Sequence, residues 1–222
     1  YSIMNKNLKS NILDNIIYKI FLVMVDLTPL FFLPITTEFY DLNKQALLLT
    51  LTILLLGIWI VKIAKAKSLT IVRSTLDIPL LAFMVVALFS SVFSISVSDS
   101  IFGSTGRWFP SLIGIGIIGI IYYAVAWSKV SVTQTRNILM AFIAAVSINS
   151  LISIISYFQI YFGSAPFLQS PNFNLTGSTN TSVILSVLAF TMAIGLHFYS
   201  KNQKAKVWLL ILSIVNLFSI AI

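Results

Sequence analysis

The sequence predicts an all-α fold, a polytopic bundle of transmembrane helices with about seven spans. Hydrophobic residues make up 58% of the chain and charged residues only 9%, whereas a soluble domain carries about 25% charged residues. The mean hydropathy is +0.99. Residues 78–98 and 108–128 contain no formal charge. As helices, each of these stretches would be about 31 Å long, which matches the hydrocarbon core of a bilayer.

Apolar segments of this kind recur along the chain, and short polar connections separate them. Such connections must leave the lipid, because non-helical backbone cannot be satisfied there. We find no second, soluble domain and expect residues 1–222 to form a single transmembrane domain. The sequence starts at Tyr1 and stops inside an apolar run, so we expect the N-terminal fragment of a longer protein. The expected spans are residues 16–35, 45–61, 78–96, 109–127, 137–162 and 181–199, with a seventh that begins near Lys206.

Proline residues mark the expected starts of the third and fourth spans. Asp77 and Pro79 should open the third span, since proline is tolerated in a first helical turn whose amide is unpaired. Pro110 should open the fourth span in the same way. The polar sequence between them, SDSIFGSTGRW, is predicted to form a loop outside the membrane.

The basic residues predict the orientation of the chain. Most of the 14 lysines and arginines fall on alternate connections, which places those connections and the N-terminus in the cytoplasm. The net charge of +8 is therefore a topology signal, and it does not indicate a nucleic-acid partner. The residues on this side are Lys6, Lys9, Lys19, Lys62, Lys65, Lys67, Arg73, Lys129, Arg136, Lys201, Lys204 and Lys206.

Several kinds of site are excluded or disfavoured by the residue types present. The chain has no cysteine, which excludes disulfides, a thiolate nucleophile and cysteine metal sites. We see no cluster of metal ligands in the sequence and expect neither a metal nor another cofactor. Gly114, Gly116 and Gly119 form a GxGxxG string, but no strand precedes it, as a dinucleotide site would require. We expect these glycines to permit close helix contacts instead.

Arg107 is the exception to the charge pattern, because it lies on the predicted outer face. One interpretation is an arginine that contacts lipid headgroups beside an interfacial Trp108. The other is anion recognition, since a guanidinium beside outward-pointing helix N-termini suits a phosphate or diphosphate. On the second interpretation, the candidate diphosphate-binding residues are Arg107, Gly106 and Lys44.

Asp26 lies in the middle of the first predicted span, three residues before Pro29. An intramembrane carboxylate is by default a candidate for function, and a hydrogen-bonded packing role at a proline kink fits the sequence equally well. The functional interpretation favours a polytopic transporter or lipid flippase, which would use charges near mid-membrane.

Three consecutive motifs in residues 77–107 resemble a known pattern. They are an Asp-x-Pro-Leu-Leu helix start, a Ser-x-x-Phe-Ser helix end and a Ser-x-x-Gly-x-x-Gly-Arg loop. On these motifs, and on a hairpin-like segment at residues 31–47, the chain resembles the O-antigen ligase-like family of bacterial membrane glycosyltransferases over about residues 20–200. The motif residues are Asp77, Pro79, Leu80, Leu81, Ser90, Phe93, Ser94, Ser100, Gly103, Gly106 and Arg107.

The resemblance implies an enzyme of the bacterial inner membrane that takes part in lipopolysaccharide and cell-envelope biosynthesis. Such an enzyme would transfer a glycan from an undecaprenyl-diphosphate carrier to an acceptor hydroxyl on the outer face, with a glycan or a lipid A-core as acceptor. Its partners would be this lipid-linked donor, the acceptor and membrane lipids. The resemblance also implies that the catalytic residues lie downstream of residue 222, so that this fragment alone would be inactive. The start of the sixth span keeps Gly177 but lacks the Gly-Asn-Pro that the family has there.

Overall fold

The structure is a computed structural model that describes residues 2–34, 40–66, 73–104, 108–128, 130–161, 163 and 165–222. These residues are helical, as predicted, and no β-strand occurs among them. A short 3-10 helix covers Pro166–Gln169. The α-helices are α1 (Ser2–Leu30), α2 (Asp41–Ala66), α3 (Asp77–Val92), α4 (Val97–Phe102), α5 (Leu112–Ala126), α6 (Val132–Tyr157), α7 (Thr179–Tyr199) and α8 (Gln203–Ala221).

Four of the described helices are long and apolar enough to cross a membrane. They are α2, α6, α7 and α8. Between 11% and 33% of their most apolar windows is buried inside the protein, and large side chains such as Ile53 and Trp208 are exposed. Apolar surface on this scale is typical of a membrane protein, whose helices face lipid as well as each other.

The expected count of about seven spans is not confirmed. Helix α1 has 29 residues but carries Asp14, Lys19 and Asp26 within its last 18 residues. Helices α3 and α5 have 16 and 15 residues, or about 24 Å, which is less than the thickness of the hydrocarbon core. Both uncharged stretches, 78–98 and 108–128, therefore contain a helix that is shorter than the stretch itself.

Helix α3 ends at Val92, before its apolar stretch does, and serines lie on both sides of its end. The last turn of α3 contains Ser91, whose hydroxyl donates a hydrogen bond to the Ala87 carbonyl. Ser94 and Ser96 follow directly and make side-chain hydrogen bonds of their own. The bonds of Ser94 and Ser96 lie where the chain turns and begins the separate short helix α4.

The proline predictions had different outcomes. Pro79 lies in the first turn of α3, as expected, two residues after Asp77. The prediction that Pro110 opens the next helix is wrong, because α5 begins at Leu112 and Ser111 is its N-cap. The Ser111 hydroxyl accepts a hydrogen bond from the Gly114 amide. Proline has no side-chain oxygen and cannot cap a helix in this way.

The described contacts divide the chain into two compact units. Unit 1 comprises the chain up to Met24 together with Lys44–Gln134. Its core consists of Ile17, Leu55 and Ala124, which have no exposed surface, and of Met24, with Ile20, Phe21, Leu48, Leu51, Ile58, Trp59 and Ile121 packed against them.

Unit 1 also contains a buried ion pair between α1 and α2. The Lys62 ammonium lies 2.5 Å from an Asp14 carboxylate oxygen, and the two side chains are 14% and 8% exposed. The same ammonium donates a hydrogen bond to the carbonyl of Trp127, the C-cap of α5. Lys62, predicted only as a topology signal, therefore joins α1, α2 and the end of α5.

Unit 2 comprises Val25–Asn43 and Thr135–Ile222. Its apolar core consists of Ile143 from α6, Ala193 from α7 and Leu209 from α8. The segment between α6 and α7 packs on the end of α1 through aromatic rings: the Phe32 ring lies 5.7 Å from Phe167 and 5.9 Å from Phe173.

Gly177 allows a close approach at the start of α7 in unit 2. Its φ of +84° is a conformation that favours glycine, and a Cβ there would collide with the Tyr40 ring. Burial raises the pKa of the Tyr40 phenol. Tyr40, in the hairpin-like segment, is thus in contact with the start of α7, where the sequence departs from the family pattern.

Candidate functional site

The three residues predicted to bind a diphosphate are only partly described. Arg107 and Gly106 lie outside the described residues. Lys44 lies in the first turn of α2, is half-buried and makes polar contacts within the protein. We therefore describe the residues of unit 1 that adjoin Lys44 and Arg107 in the sequence.

Gln45 connects the start of α2 to the residue that follows Arg107 in sequence. Its side-chain oxygen accepts a 2.7 Å hydrogen bond from the Trp108 amide, and the Gln45 side chain is buried. A buried amide–carbonyl hydrogen bond is costly to break, because each partner would remain unsatisfied. This contact brings residues next to Lys44 and next to Arg107 together, although the two positions are more than sixty residues apart.

The corner between α3 and α5 is built from serines of the motif stretch. The Ser100 hydroxyl of α4 donates a 2.7 Å hydrogen bond to the Ser94 hydroxyl. Ser96 donates to the Asp99 carboxylate at 2.8 Å. Gly103 ends α4 with a φ of +84°, a conformation that glycine adopts readily, which gives a structural reason for the first glycine of the Ser-x-x-Gly motif.

A cavity of about 530 Å³ opens at this corner. Its size is within the range of small-molecule sites. The described residues of its lining are serines and apolar residues, and none of them is ionisable. The lining residues are Ala87, Ser90, Ser91, Phe93, Ser94, Ile95, Ser100, Pro110, Ser111, Leu112 and Ile115.

The glycines of α5 were predicted to permit close helix contacts, and one of the three does so. A Cβ at Gly119 would lie 3.0 Å from the Met84 methyl of α3, so this glycine permits a close helix contact. A Cβ at Gly114 would collide with the Phe109 backbone, within the same turn that carries the Ser111 cap. A Cβ at Gly116 would meet no described atom within 4 Å, so the structure shows no helix contact at this glycine.

A buried network of serines and asparagines in unit 2 was missed by the sequence analysis. Asn216 of α8 donates to Ser147 at 2.7 Å and accepts from Ser150 at 3.0 Å, both in α6. Ser150 also contacts Ser186 of α7 at 3.0 Å. All four side chains are at most 1% exposed. Polar side chains that satisfy each other between helices hold a bundle together in lipid.

A second buried asparagine, Asn149 of α6, contacts α7 and the segment before it. Asn149 donates to the Ser182 hydroxyl at 2.8 Å, and its side-chain oxygen accepts from the Leu175 amide at 2.8 Å. The sequence signal was present, since Ser213, Asn216 and Ser219 recur at helical spacing in α8. That spacing places them on one face, but a single helix cannot show which neighbours its polar face meets.

Replacing Asn216 by leucine is expected to lower the free energy of unfolding by about 1 kcal/mol, since interhelical hydrogen bonds in membranes average about 0.6 kcal/mol each and Asn216 makes two, to Ser147 and Ser150 of α6. Unfolding of the purified protein in mixed micelles measures this change. The matched control is Asn172→Leu at an exposed loop position, which should stay within about 0.5 kcal/mol of wild type. Equal stability of both variants would contradict a structural role for the network.

The structure shows no candidate metal site among the residues that it describes. These residues contain no group of three or more His, Cys, Asp or Glu side chains that could hold a metal ion. The cavity in unit 1 is lined by hydroxyls and apolar groups. No family model, curated protein or solved structure matches the chain.

Proposed function

We propose that the chain is part of an inner-membrane glycosyltransferase similar to the O-antigen ligases. The enzyme transfers a glycan from an undecaprenyl-diphosphate carrier to an acceptor hydroxyl on the outer face. One observation carries the proposal: Ser90, Ser94 and Ser100, from two of the resembling motifs, line the same cavity. The Gln45–Trp108 hydrogen bond supports it further, because it joins the neighbours of Lys44 and Arg107.

The chemistry of the donor fits these features. A diphosphate is a dense anion, which arginine and lysine side chains bind through charge-assisted hydrogen bonds. The Ser90 hydroxyl can donate a hydrogen bond to a phosphate or sugar oxygen. The Ser94 and Ser100 hydroxyls, which already donate their protons within the protein, can accept hydrogen bonds from sugar hydroxyls. The apolar part of the lining, such as Leu112 and Ile115, suits the polyprenyl chain beside the diphosphate. On this proposal, Arg107, Gly106 and Lys44 hold the diphosphate and the cavity holds the adjoining part of the donor.

The proposed enzyme has about seven spans in this chain, with the N-terminus in the cytoplasm. Shorter helices such as α3 and α5 can be accommodated by local thinning of the bilayer or by residues that snorkel to the interface. This topology places the cavity and Arg107 on the outer face, where the acceptor would be.

Single cysteines test the orientation directly, because the chain has no native cysteine. Cysteines at the exposed positions Ser104 and Asn172 should react with a membrane-impermeant maleimide in intact spheroplasts. A cysteine at exposed Gln203 should react only after permeabilisation. Asn174 is unsuitable, since its buried side chain accepts from Thr176 and Gly177. The reverse labelling pattern would contradict the orientation.

Filling the cavity tests the proposed function. In the full-length protein, Ser94→Leu should raise KM for an undecaprenyl-diphosphate-linked glycan at least fivefold, because the added side chain occupies the donor's place. Thr191→Leu, an exposed change on α7, is the control and should leave transfer unchanged. Donor kinetics equal to wild type in Ser94→Leu would refute the binding role of the cavity. Movement of the lipid-linked glycan across vesicles without transfer would instead identify a flippase.

A further inference from the structure

A second cavity, of about 760 Å³, lies at one end of unit 2, where α6 begins, α7 ends and α8 begins. Its inner part is apolar and is formed by Met140, Leu196 and Leu209, which belong to or pack against the core of this unit. Its rim is polar and carries two cations, Arg136 and Lys201. The remaining lining residues are Asn137, Tyr199, Ser200, Asn202 and Ala205.

The part of the chain that forms this cavity contains no acidic residue to neutralise the two cations. No aspartate or glutamate occurs after Asp99 in the sequence, so the lining contains cations and no carboxylate. Arg136 and Lys201 are exposed, and neither makes an ion pair with any residue that the structure describes. Two cations without a counter-ion at a protein surface attract an anionic ligand.

The linker that carries Lys201 is short and held at both ends. The Ser200 amide donates to the Leu196 carbonyl at 2.9 Å, which closes α7. Asn202 caps α8, and its side-chain oxygen accepts from the Lys204 amide at 3.0 Å. The backbone of Lys201 is thus fixed between two helix ends, and a fixed site loses less entropy when a ligand binds.

The surroundings indicate the chemical class of the ligand. Helices α6, α7 and α8 are all long and apolar enough to cross a membrane, so the cavity lies at the end of three candidate spans. Tyr199 and Trp208 are 74% and 62% exposed near this end, and such aromatic residues favour the membrane–water interface. A ligand here would meet cations at its polar end and an apolar surface between helices at the other.

We propose that this cavity binds an anionic phospholipid, whose phosphate lies between Arg136 and Lys201 and whose acyl chain lies along Met140 and Leu196. Basic pockets between membrane helices are suited to anionic headgroups. The orientation proposed above places the site in the cytoplasmic leaflet. The site is separate from the proposed glycosyl transfer and does not depend on it.

Native mass spectrometry of the purified chain in zwitterionic detergent tests the site, with dioleoylphosphatidylglycerol as the probe and dioleoylphosphatidylcholine as the uncharged comparison. We expect phosphatidylglycerol to bind at least tenfold more tightly. Arg136→Gln and Lys201→Gln should each weaken its binding about fivefold, as expected for one basic residue near an anionic lipid. Lys204→Gln is the control, since it removes the same charge nearby but does not line the cavity, and it should change binding less than twofold.

A variant that keeps both cations separates the cavity from general surface charge. Ala205→Phe fills the half-buried wall of the cavity and should weaken phosphatidylglycerol binding without changing the net charge. Equal binding of the two lipids, or an equal loss in Lys204→Gln, would overturn the proposal. Displacement of the lipid by millimolar inorganic phosphate would also overturn it, since the site would then recognise a free anion.

Discussion

Replacing Lys62 by methionine is expected to lower the free energy of unfolding by about 3–5 kcal/mol. The Asp14 carboxylate, 8% exposed, would lose the ammonium that lies 2.5 Å from it. Removing one partner of a buried ion pair is costly because the remaining charge stays away from water without compensation. The Trp127 carbonyl at the end of α5 would lose its hydrogen bond from the same ammonium.

Two further variants distinguish the ion pair from other effects of the substitution. Lys65→Met, on an exposed position of α2 three residues further on, should change stability by no more than about 0.5 kcal/mol. The double variant Asp14→Leu/Lys62→Met should recover most of the loss, since an apolar pair of similar volume can replace a buried ion pair at little cost. Unfolding in mixed micelles measures all three. A loss of less than about 1 kcal/mol in Lys62→Met would show that the pair is effectively solvated.

The positions of the helices could be predicted from the sequence because the apolar segments are long and their connections polar. Their lengths were harder to predict. An uncharged stretch such as 78–98 permits a membrane-length helix but does not require one, and α3 ends within it, at Val92. Pro110 was expected to open the next helix, but Ser111, the residue after it, caps that helix instead.

The tertiary partners of polar residues could not be predicted from local patterns. Lys62 fitted the orientation rule completely, so nothing in the sequence indicated that it pairs with Asp14 in another helix. Asn149 and Asn216 lie in apolar helices without a recognisable motif, and their function as interhelical contacts depends on which helices are neighbours. The motif residues Ser94 and Ser100 were identified from the sequence, but the hydrogen bond between them and the cavity they line were not.

The proposed diphosphate site depends most on Arg107. Arginine can hold two oxygens of a diphosphate with parallel hydrogen bonds, whereas lysine offers a single point charge. The loss of one charge-assisted contact costs about 1.5–3 kcal/mol, which corresponds to roughly 10- to 150-fold in the step that uses it. Arg107→Lys should therefore recover only part of the donor binding that Arg107→Ala loses.

The most direct test of the proposed function is the rate of glycan transfer at limiting donor concentration in full-length protein that carries Arg107→Ala. We expect kcat/KM for the undecaprenyl-diphosphate-linked donor to fall at least tenfold, with protein level and membrane insertion unchanged. Arg73→Ala, an exposed arginine on the predicted cytoplasmic side, is the matched control and should transfer normally. If Arg107 only contacts lipid headgroups, Arg107→Ala will transfer glycan at the wild-type rate, and that result would contradict the proposed donor site.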